Sequence, residues 1–410
     1  MNPWLSQLSG IDSGATIVRN GTKVNQSDVA INDIVYYSKD LQMVFDYSNK
    51  VTGVYESAAP NKDAPSSVVI SDVTYSIEGV TAFSKLSSSG TVSLGDTITV
   101  LLGKDGKIAD VVTNANNANS VIYGYLYGTG LKEYKTDNKS YTAYYAKIVT
   151  PDGQTQEFRT DKNCENSVNA IVSVTLDQGV GKVSIINGAA NVSGVFDWSK
   201  KKLGTTDLDS NVNILDVNGM KSLKVGSYCK VFGQRINGLS LKGEDILLAT
   251  TNSSGKITSL ILNDVTGDSY KYGVIMSATN STGSMVSGSY TYDIAGTQKS
   301  ASTNGVSYSK VSSGQPAKFR LTADGSIGNI EALTKLEKPV SAVTQTAATV
   351  DGKSYLLSDK VVVYLRDYDY SYTILPLSDI ENGTPYVLHA YYDKAIDKGG
   401  RVRIIMATIE

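Results

Sequence analysis

Residues 94–112 read Leu94-Gly-Asp-Thr-Ile-Thr-Val-Leu-Leu-Gly-Lys-Asp-Gly-Lys-Ile-Ala-Asp-Val-Val112. Ile98, Val100 and Leu102 recur at every second position, the period of a half-buried strand. Asp105-Gly106 then supplies a turn in which glycine takes a positive φ at little cost. Lys107, Ile108, Val111 and Val112 begin a return strand. The stretch predicts a β-hairpin, and its pattern comes back twice. Gly243 to Leu262 repeats Gly95, Ile98, Gly106, Lys107 and Ile108 as Gly243, Ile246, Gly255, Lys256 and Ile257, with one more residue at the tip. Gly314 to Leu333 repeats it with Phe319 and Leu321 before Asp324-Gly325 and Ile327 after. The tip position of Asp105 holds Ser254 in the second copy. A turn needs only a small polar residue there, whereas a shared reaction would need the carboxylate.

Composition points the same way. The 410 residues include 37 glycines and 26 tyrosines against 6 phenylalanines and 2 tryptophans, and no long run has helical period. Tyrosine suits a strand with one packed and one wet face. An isolated hairpin is marginal in water, so each must join a small core. The chain is therefore predicted to be all-β, with several small β-barrel or β-sandwich modules in tandem built from repeated hairpins. A continuous solenoid would need a shorter and stricter period.

Working outward, Ile34 to Tyr36 and Met43 to Tyr47 flank a polar Ser38-Lys39-Asp40 tip, and Val51 to Tyr55 adds a third strand of a meander. Ala58 to Pro65 reads as a connection, and strands follow at Ser67 to Ile70 and Thr74 to Ile77. The polar run NANNAN at 114–119 marks a boundary. Strands are expected from Val121, over Tyr141 to Val149 and Gln156 to Arg159, and as a pair at Ala170 to Leu176 and Lys182 to Ile186. Gly204 to Asp209 reads as a connection, Val212 to Val217 as a strand ending in an Asn218-Gly219 turn, and Leu223 to Phe232 as a strand. Tyr272-Gly-Val resembles Tyr123-Gly-Tyr. Thr334 to Val343 reads as a linker, and Ser378-Asp-Ile-Glu381 has the spacing of a capping box. Gly383 to Tyr392 and Arg401 to Ala407 form the last hairpin. The resulting modules are residues 1–117, 118–202, 203–268, 269–338 and 339–410.

The charge balance, 38 basic against 40 acidic residues, gives no reason to expect nucleic acid or an anionic membrane as partner. No stretch has the length and apolarity of a transmembrane helix. The first residues lack the basic and apolar regions of a signal peptide. One histidine, His389, in a strand-like context, leaves no multi-histidine metal site, and Cys164 and Cys229 fit no zinc or redox spacing. Trp4 and Trp198 read as packing anchors. Two constellations remain as candidate sites. Asp207, Asp209, Asn211 and Asn213 alternate oxygen ligands as a calcium loop does, with Asp216 as a further carboxylate. Val212 at the sixth loop position and Asn218 at the twelfth depart from that loop, and Val212, Ile214 and Val217 equally suit a strand. Calcium is the one cofactor this pattern raises. The second constellation is tyrosine: Tyr123, Tyr125, Tyr127, Tyr141, Tyr144 and Tyr145 in one module, and Tyr364, Tyr368, Tyr370 and Tyr372, with Arg366, Asp367 and Asp369, in another. Rows of exposed rings at strand spacing can stack on sugars, the alternative being ordinary sheet packing. The later row is the candidate glycan-binding site. No catalytic residue is assigned.

Three phrases, DIVYYSKDLQMVFDYSNKVTGVYE (33–56), LGDTITVLLGKDGKIADVV (94–112) and VDGKSYLLSDKVVVYL (350–365) with GTPYVLHAYYDKAIDKGGRVRIIMA (383–407), resemble the displayed regions of S-layer homology domain-containing surface proteins of Gram-positive bacteria. The resemblance is one of phrase and carries no catalytic motif, and the anchoring modules themselves are not visible. It implies an extracellular, cell-wall-associated location, with the export signal and anchors elsewhere or removed. The implied role is a non-enzymatic structural or interaction segment whose partners are other copies of itself or cell-wall polymers. The alternatives are a carbohydrate-binding adhesin that uses the tyrosine rows and, more weakly, a glycan-processing enzyme with a carboxylate pair.

Overall fold

The structure, a computed structural model, describes residues 5, 8–113, 121–136, 139–187, 190–220, 225–281, 286–322, 326–369, 371–381 and 383–409. The described residues are mostly strand, with one α-helix, in several separate sheets. The all-β, multi-module expectation therefore holds. NANNAN, Trp4, Tyr370 and the Asp324-Gly325 tip lie outside the described residues. Two compact units divide the chain. The first holds residues 1–190, 206–215 and 247–261, and the second 191–205, 216–246 and 262–410.

The first unit begins with a four-stranded sheet in the order Thr22–Val24, Thr16–Arg19, Met43–Tyr47, Ile34–Ser38. The Ile34–Ser38 and Met43–Tyr47 hairpin forms as expected, with Tyr36 opposite Phe45. The meander does not. Lys50–Ala59 leaves this sheet, and Met43–Tyr47 takes Thr16–Arg19 as a parallel neighbour instead. Strand period is local, but the choice of neighbour is a tertiary matter.

Lys50–Ala59 is the first strand of a five-stranded sheet ordered Val73–Ser76, Ser67–Ile70, Lys50–Ala59, Thr97–Leu102, Ile108–Thr113. Thr97–Leu102 and Ile108–Thr113 are the hairpin of residues 94–112, paired from Ile98 with Thr113 to Leu102 with Ile108. Asp105 and Gly106 both take positive φ, 62° and 70°, which matches the twist of the flanking strands. One expectation fails: Thr97–Leu102 is buried on both faces. Ile98, Val100 and Leu102 join Val51, Tyr55 and Ile70 in a core closed by the helix Val80–Leu86 through Ala82 and Leu86. On the other face Thr99 shares a hydroxyl hydrogen bond with Thr52 at 2.8 Å, and the Thr97 hydroxyl donates to the Gly179 carbonyl at 2.7 Å. Threonine fills a buried face without loss because each hydroxyl is paired. The helix has no sequence-level expectation behind it. Seven residues make under two turns, too short for a helical period to stand out, and packing rather than propensity holds such a helix.

Ile122–Lys135, Ser140–Val149, Thr155–Thr160, Ile171–Asp177 and Val180–Ile185 close into a barrel. Numbered one to five along the chain, they run 1-2-3-5-4 around it, and the third and fifth meet in parallel at Thr160 and Gly181. That order is the five-stranded Greek-key barrel of the OB type. Leu126, Ile148, Phe158, Val172 and Val174 fill it. The sheet of residues 50–113 has the same connectivity, 3-2-1-4-5, and a single parallel bridge from Ile77 to Ile108 stands where the barrel closes. In the second unit, Lys271–Ser281, Ser287–Ile294, Thr297–Asn304, Pro316–Leu321 and Ile327–Ala332 repeat it as an open sheet. In all three modules the first strand carries a bulge toward the second, at Tyr55/Ser57, Leu126/Gly128 and Ile275/Ser277. A bulge bends a strand and raises its twist, which lets one long strand pair with the fourth at one end and the second at the other.

The hairpin copies sort on this basis. Residues 94–112 and 314–333 are fourth and fifth strands. Their counterpart in the barrel is Ile171–Asp177 with Val180–Ile185, whereas Gly243 to Leu262 docks differently. There the second strand, Ile257–Asn263, rather than the first, Ile246–Thr251, lies beside the long strand Thr206–Met220. That long strand also takes up residues 206–209 of the expected connection, leaving Gly204 and Thr205 as a turn, and runs on through the expected Asn218-Gly219 turn.

The second unit also holds Gly194–Asp197 paired to Lys202–Leu203 and to Ser240–Leu241. Its C-terminal sheet centres on Lys353–Arg366 and Val402–Ile409, which run parallel, with Tyr386–Tyr392 antiparallel to the latter. Thr334–Lys335 and Val340–Val343 are edge strands of this sheet rather than linker. A short 3-10 turn, Leu377–Ile380, sits where the capping-box spacing placed one.

Candidate functional site

A cleft of about 1080 Å³ lies within the first unit. One wall is Leu94 to Ile98. The other is built from the barrel: Thr136 and Lys139 between its first two strands, Tyr141 on the second, Arg159 on the third, and Asp177 to Gly179 between the last two. These loops and this strand face are where OB-type barrels take up oligonucleotides and oligosaccharides.

Local pairing explains the position of each group. Tyr141 stands directly opposite Tyr134 across the first two strands, and the rings stack at 5.9 Å and 28°. Tyr134 is buried, and its hydroxyl donates to Glu157 Oε1 at 3.1 Å. Burial, then the Glu157 charge, pushes the Tyr134 hydroxyl far above its ordinary range, so it stays protonated. Arg159 donates from Nη1 to the Tyr141 hydroxyl, and its guanidinium carbon lies 5.5 Å from that ring's centroid. The tight turn at Gln178-Gly179 has both residues at positive φ, 47° and 78°, and is pinned by Thr97. Asp177 and Lys182 form an exposed ion pair at 2.5 Å. The cleft thus offers a half-exposed tyrosine ring backed by a second ring, a guanidinium beside it, and Asp96, Asp177, Lys139 and Lys182 around the rim.

Beneath the cleft an ionic network joins the 50–113 sheet to the barrel. Lys132 Nζ lies 2.7 Å from Glu56, 2.6 Å from Asp72 and 3.0 Å from Glu157; Lys147 pairs with Asp72 and, at 3.3 Å, with Glu157. Glu157 N–H donates to Ser71 Oγ at 3.0 Å. These residues are scattered over 100 positions without a motif, and the sequence carries no sign that they meet.

The other tyrosines of the first cluster serve packing or half-covered faces. Tyr125 is buried and donates to Asn169 at 2.8 Å, while Tyr123, Tyr127, Tyr144 and Tyr145 are half-buried. The later cluster is not a row of exposed rings. Tyr364 is 1% exposed; its hydroxyl donates to Asp293 Oδ1 at 2.7 Å and accepts from the Ala295 N–H at 2.9 Å. Tyr372 meets it edge to face at 6.4 Å. Tyr368 is 70% exposed, but it stands in the turn after Lys353–Arg366, out of strand spacing with the others. Strand alternation ends at Arg366, so Tyr364 and Tyr368 do not share one face.

Asp207, Asp209, Asn211 and Asn213 occupy alternate positions of the strand Thr206–Met220. Alternate side chains on a strand are about 6.6 Å apart, whereas ligands of one calcium ion must converge at about 2.4 Å from it. The strand spreads the four out rather than wrapping them. Asp209, Asn211 and Asn213 line a polar cleft of about 490 Å³ with Asn20, Asn25 and Asn252. Asp209 accepts from the Asn211 N–H at 3.0 Å and from Asn252 Nδ2 at 3.3 Å. Asp216 falls on the opposite parity of the strand and is buried, accepting from the Val265 and Thr266 N–H groups and the Thr266 hydroxyl. Among the described residues no group of three or more His, Cys, Asp or Glu is placed to hold a metal. His389 is half-buried on Tyr386–Tyr392, and burial followed by Lys335 lowers its pKa. Cys164 and Cys229 are both free thiols. Among the described residues no helix is long and apolar enough to cross a membrane.

A scan of the chain against models of known families found no match, and searches of curated proteins and of solved structures found none either.

Proposed function

We propose that this chain is a non-enzymatic structural and interaction segment of a bacterial cell-surface, S-layer-associated protein, working outside the cell against copies of itself or wall polymers. The observation that carries the reading is the ionic network of Glu56, Asp72, Lys132, Lys147 and Glu157. It fixes one OB-type module on the next within the first unit. Modules strung for flexibility need no buried inter-module charge, and burying charge is costly unless orientation matters. A repeated, rigidly docked module suits a segment that sets reach and presents surfaces. The test is sedimentation of the purified chain with isolated Gram-positive cell walls, together with light scattering at rising protein concentration. The reading expects co-sedimentation or ordered self-assembly. A chain that stays monomeric and in the supernatant overturns it.

The Tyr141–Arg159 cleft favours a second reading within the same setting, binding of a wall glycan. A sugar face stacks on the half-exposed ring while the guanidinium donates to its hydroxyls or carboxylate. Retention on wall polysaccharide, lost in Tyr141→Ala with the melting temperature kept, supports this reading. Equal retention by the variant removes it.

A further inference from the structure

A second pocket, about 260 Å³, lies wholly within the second unit, outside the cleft described above. It is lined by Lys230, Arg235, Lys360, Arg401 and Arg403 against Asp268 and Asp359. The charges divide into a spent set and a free set. Arg403 is buried and bonds to Asp393 Oδ2 at 2.7 Å and Asp268 Oδ1 at 2.7 Å. Arg235 bonds to Asp268 at 2.8 Å and to the Thr266 and Gly399 carbonyls. Asp268 and Asp393 thus answer Arg235 and Arg403. Lys230, Lys360 and Arg401 remain, against the single carboxylate of Asp359.

Arg401 has only its backbone tied down, its N–H donating to Asp393 at 3.0 Å. Its half-buried guanidinium forms no ion pair within 4 Å among the described residues. Burial, then the neighbouring Arg235 charge, lowers its pKa, the mark of a cation short of a counter-ion.

The backbone aims further donors at the same place. Between Leu357 opposite Val402 and Val362 opposite Ile404, Lys353–Arg366 advances five residues while its partner advances two. The three extra residues bulge out and present Ser358, Asp359 and Lys360 to the pocket. Ser358 Oγ accepts from Arg403 Nη1 at 2.9 Å and from the Lys360 N–H at 3.2 Å. With its lone pairs engaged, its own hydrogen is left to donate. The Cys229 thiol on the rim is pushed up to about 12 by burial and Asp216, so it adds no negative charge at neutral pH.

We propose that this pocket is a binding site for a phosphate-type tetrahedral oxyanion, held by Arg401, Lys360 and the Ser358 hydroxyl with Lys230 at the mouth. A guanidinium fork matches such an anion, and charge-assisted hydrogen bonds are the strong ones. The inference stands apart from the proposed function, since it uses none of the same residues.

The test is isothermal titration calorimetry of the full chain with inorganic phosphate at pH 7.5 and constant ionic strength in sodium chloride, with sulfate in parallel. One saturable site is expected for both anions. Binding should weaken at least about tenfold in Arg401→Ala and in Lys360→Glu. Lys360 is exposed, so its variant keeps the wild-type melting temperature and tests the site even if the half-buried Arg401 position costs stability. No saturable heat up to about 10 mM phosphate overturns the proposal. So does unchanged affinity in the folded variants.

Discussion

Lys132 Nζ lies 3.0 Å from Glu157 Oε1, and the glutamate side chain is completely shielded from solvent. Removing the lysine leaves that carboxylate beside Glu56 and Asp72 with only Lys147 to answer three negative charges. Breaking a buried pair from one side is strongly destabilising. Lys132→Met should therefore cost roughly 3 kcal/mol of stability in urea unfolding of the first unit. Lys182→Met, which breaks the exposed pair to Asp177, should leave the transition where it is. Equal midpoints for the two variants would show that the network does not hold the modules.

Asp46 and Asp33 are buried together in the N-terminal sheet, with Arg19 Nε 3.1 Å from Asp46 and Lys50 3.3 Å from Asp33. Burial, then the Asp33 charge, pushes the Asp46 carboxyl up to about 6, against about 3.9 in an unfolded chain. The folded sheet holds the proton more tightly than the unfolded one. The stability this contributes is complete below about pH 4 and is lost as pH rises through about 6. Amide exchange of Val44 and Phe45, corrected for intrinsic rates, should slow from pH 7 to pH 5. Asp46→Asn should flatten that slope. Equal protection at both pH values in the unmodified chain would contradict the assignment.

The tyrosines of the later cluster should separate by role. Tyr364→Phe removes the buried hydrogen bond to Asp293 and should cost about 1.5 kcal/mol. Tyr368→Ala, at a largely exposed turn residue, should stay within about 0.5 kcal/mol. Chemical denaturation of the two variants side by side checks the difference.

Gly233 should not tolerate a side chain. An alanine Cβ would fall 2.0 Å from Trp198 Cε3, and that indole is stacked on Phe196 at 6.3 Å and 9° and carries the Lys201 ammonium over its own ring. Gly233→Ala should destabilise the second unit by about 1–3 kcal/mol and shift tryptophan emission. Wild-type emission and stability would show that the loop yields instead. This placement also fits Trp198 as a packing anchor.

Most strands and several turns were legible in the chain because alternation and turn chemistry act over a few residues. Ile98, Val100 and Leu102 mark a strand wherever they stand, and Asp105-Gly106 a turn. The candidate sites were less legible for the same reason. Tyr364 and Tyr368 look alike in sequence, yet one is sealed and the other wet. Asp207 to Asn213 has the composition of an ion-binding loop, and a strand spreads it out.

By itself, then, the sequence determined an all-β chain of small modules joined by hairpins, since strand period and turn residues express local backbone preference. Only the tertiary structure decided which strands are neighbours, and so that residues 50–113, 122–185 and 271–332 share one connectivity while Gly243 to Leu262 does not. It alone decided that both faces of Thr97–Leu102 are buried, and that Glu56, Lys132 and Glu157, or Ser358, Lys360 and Arg401, come together. Such groups are set by burial and charge pairing between segments far apart in the chain, which leave no periodic trace in the residues themselves.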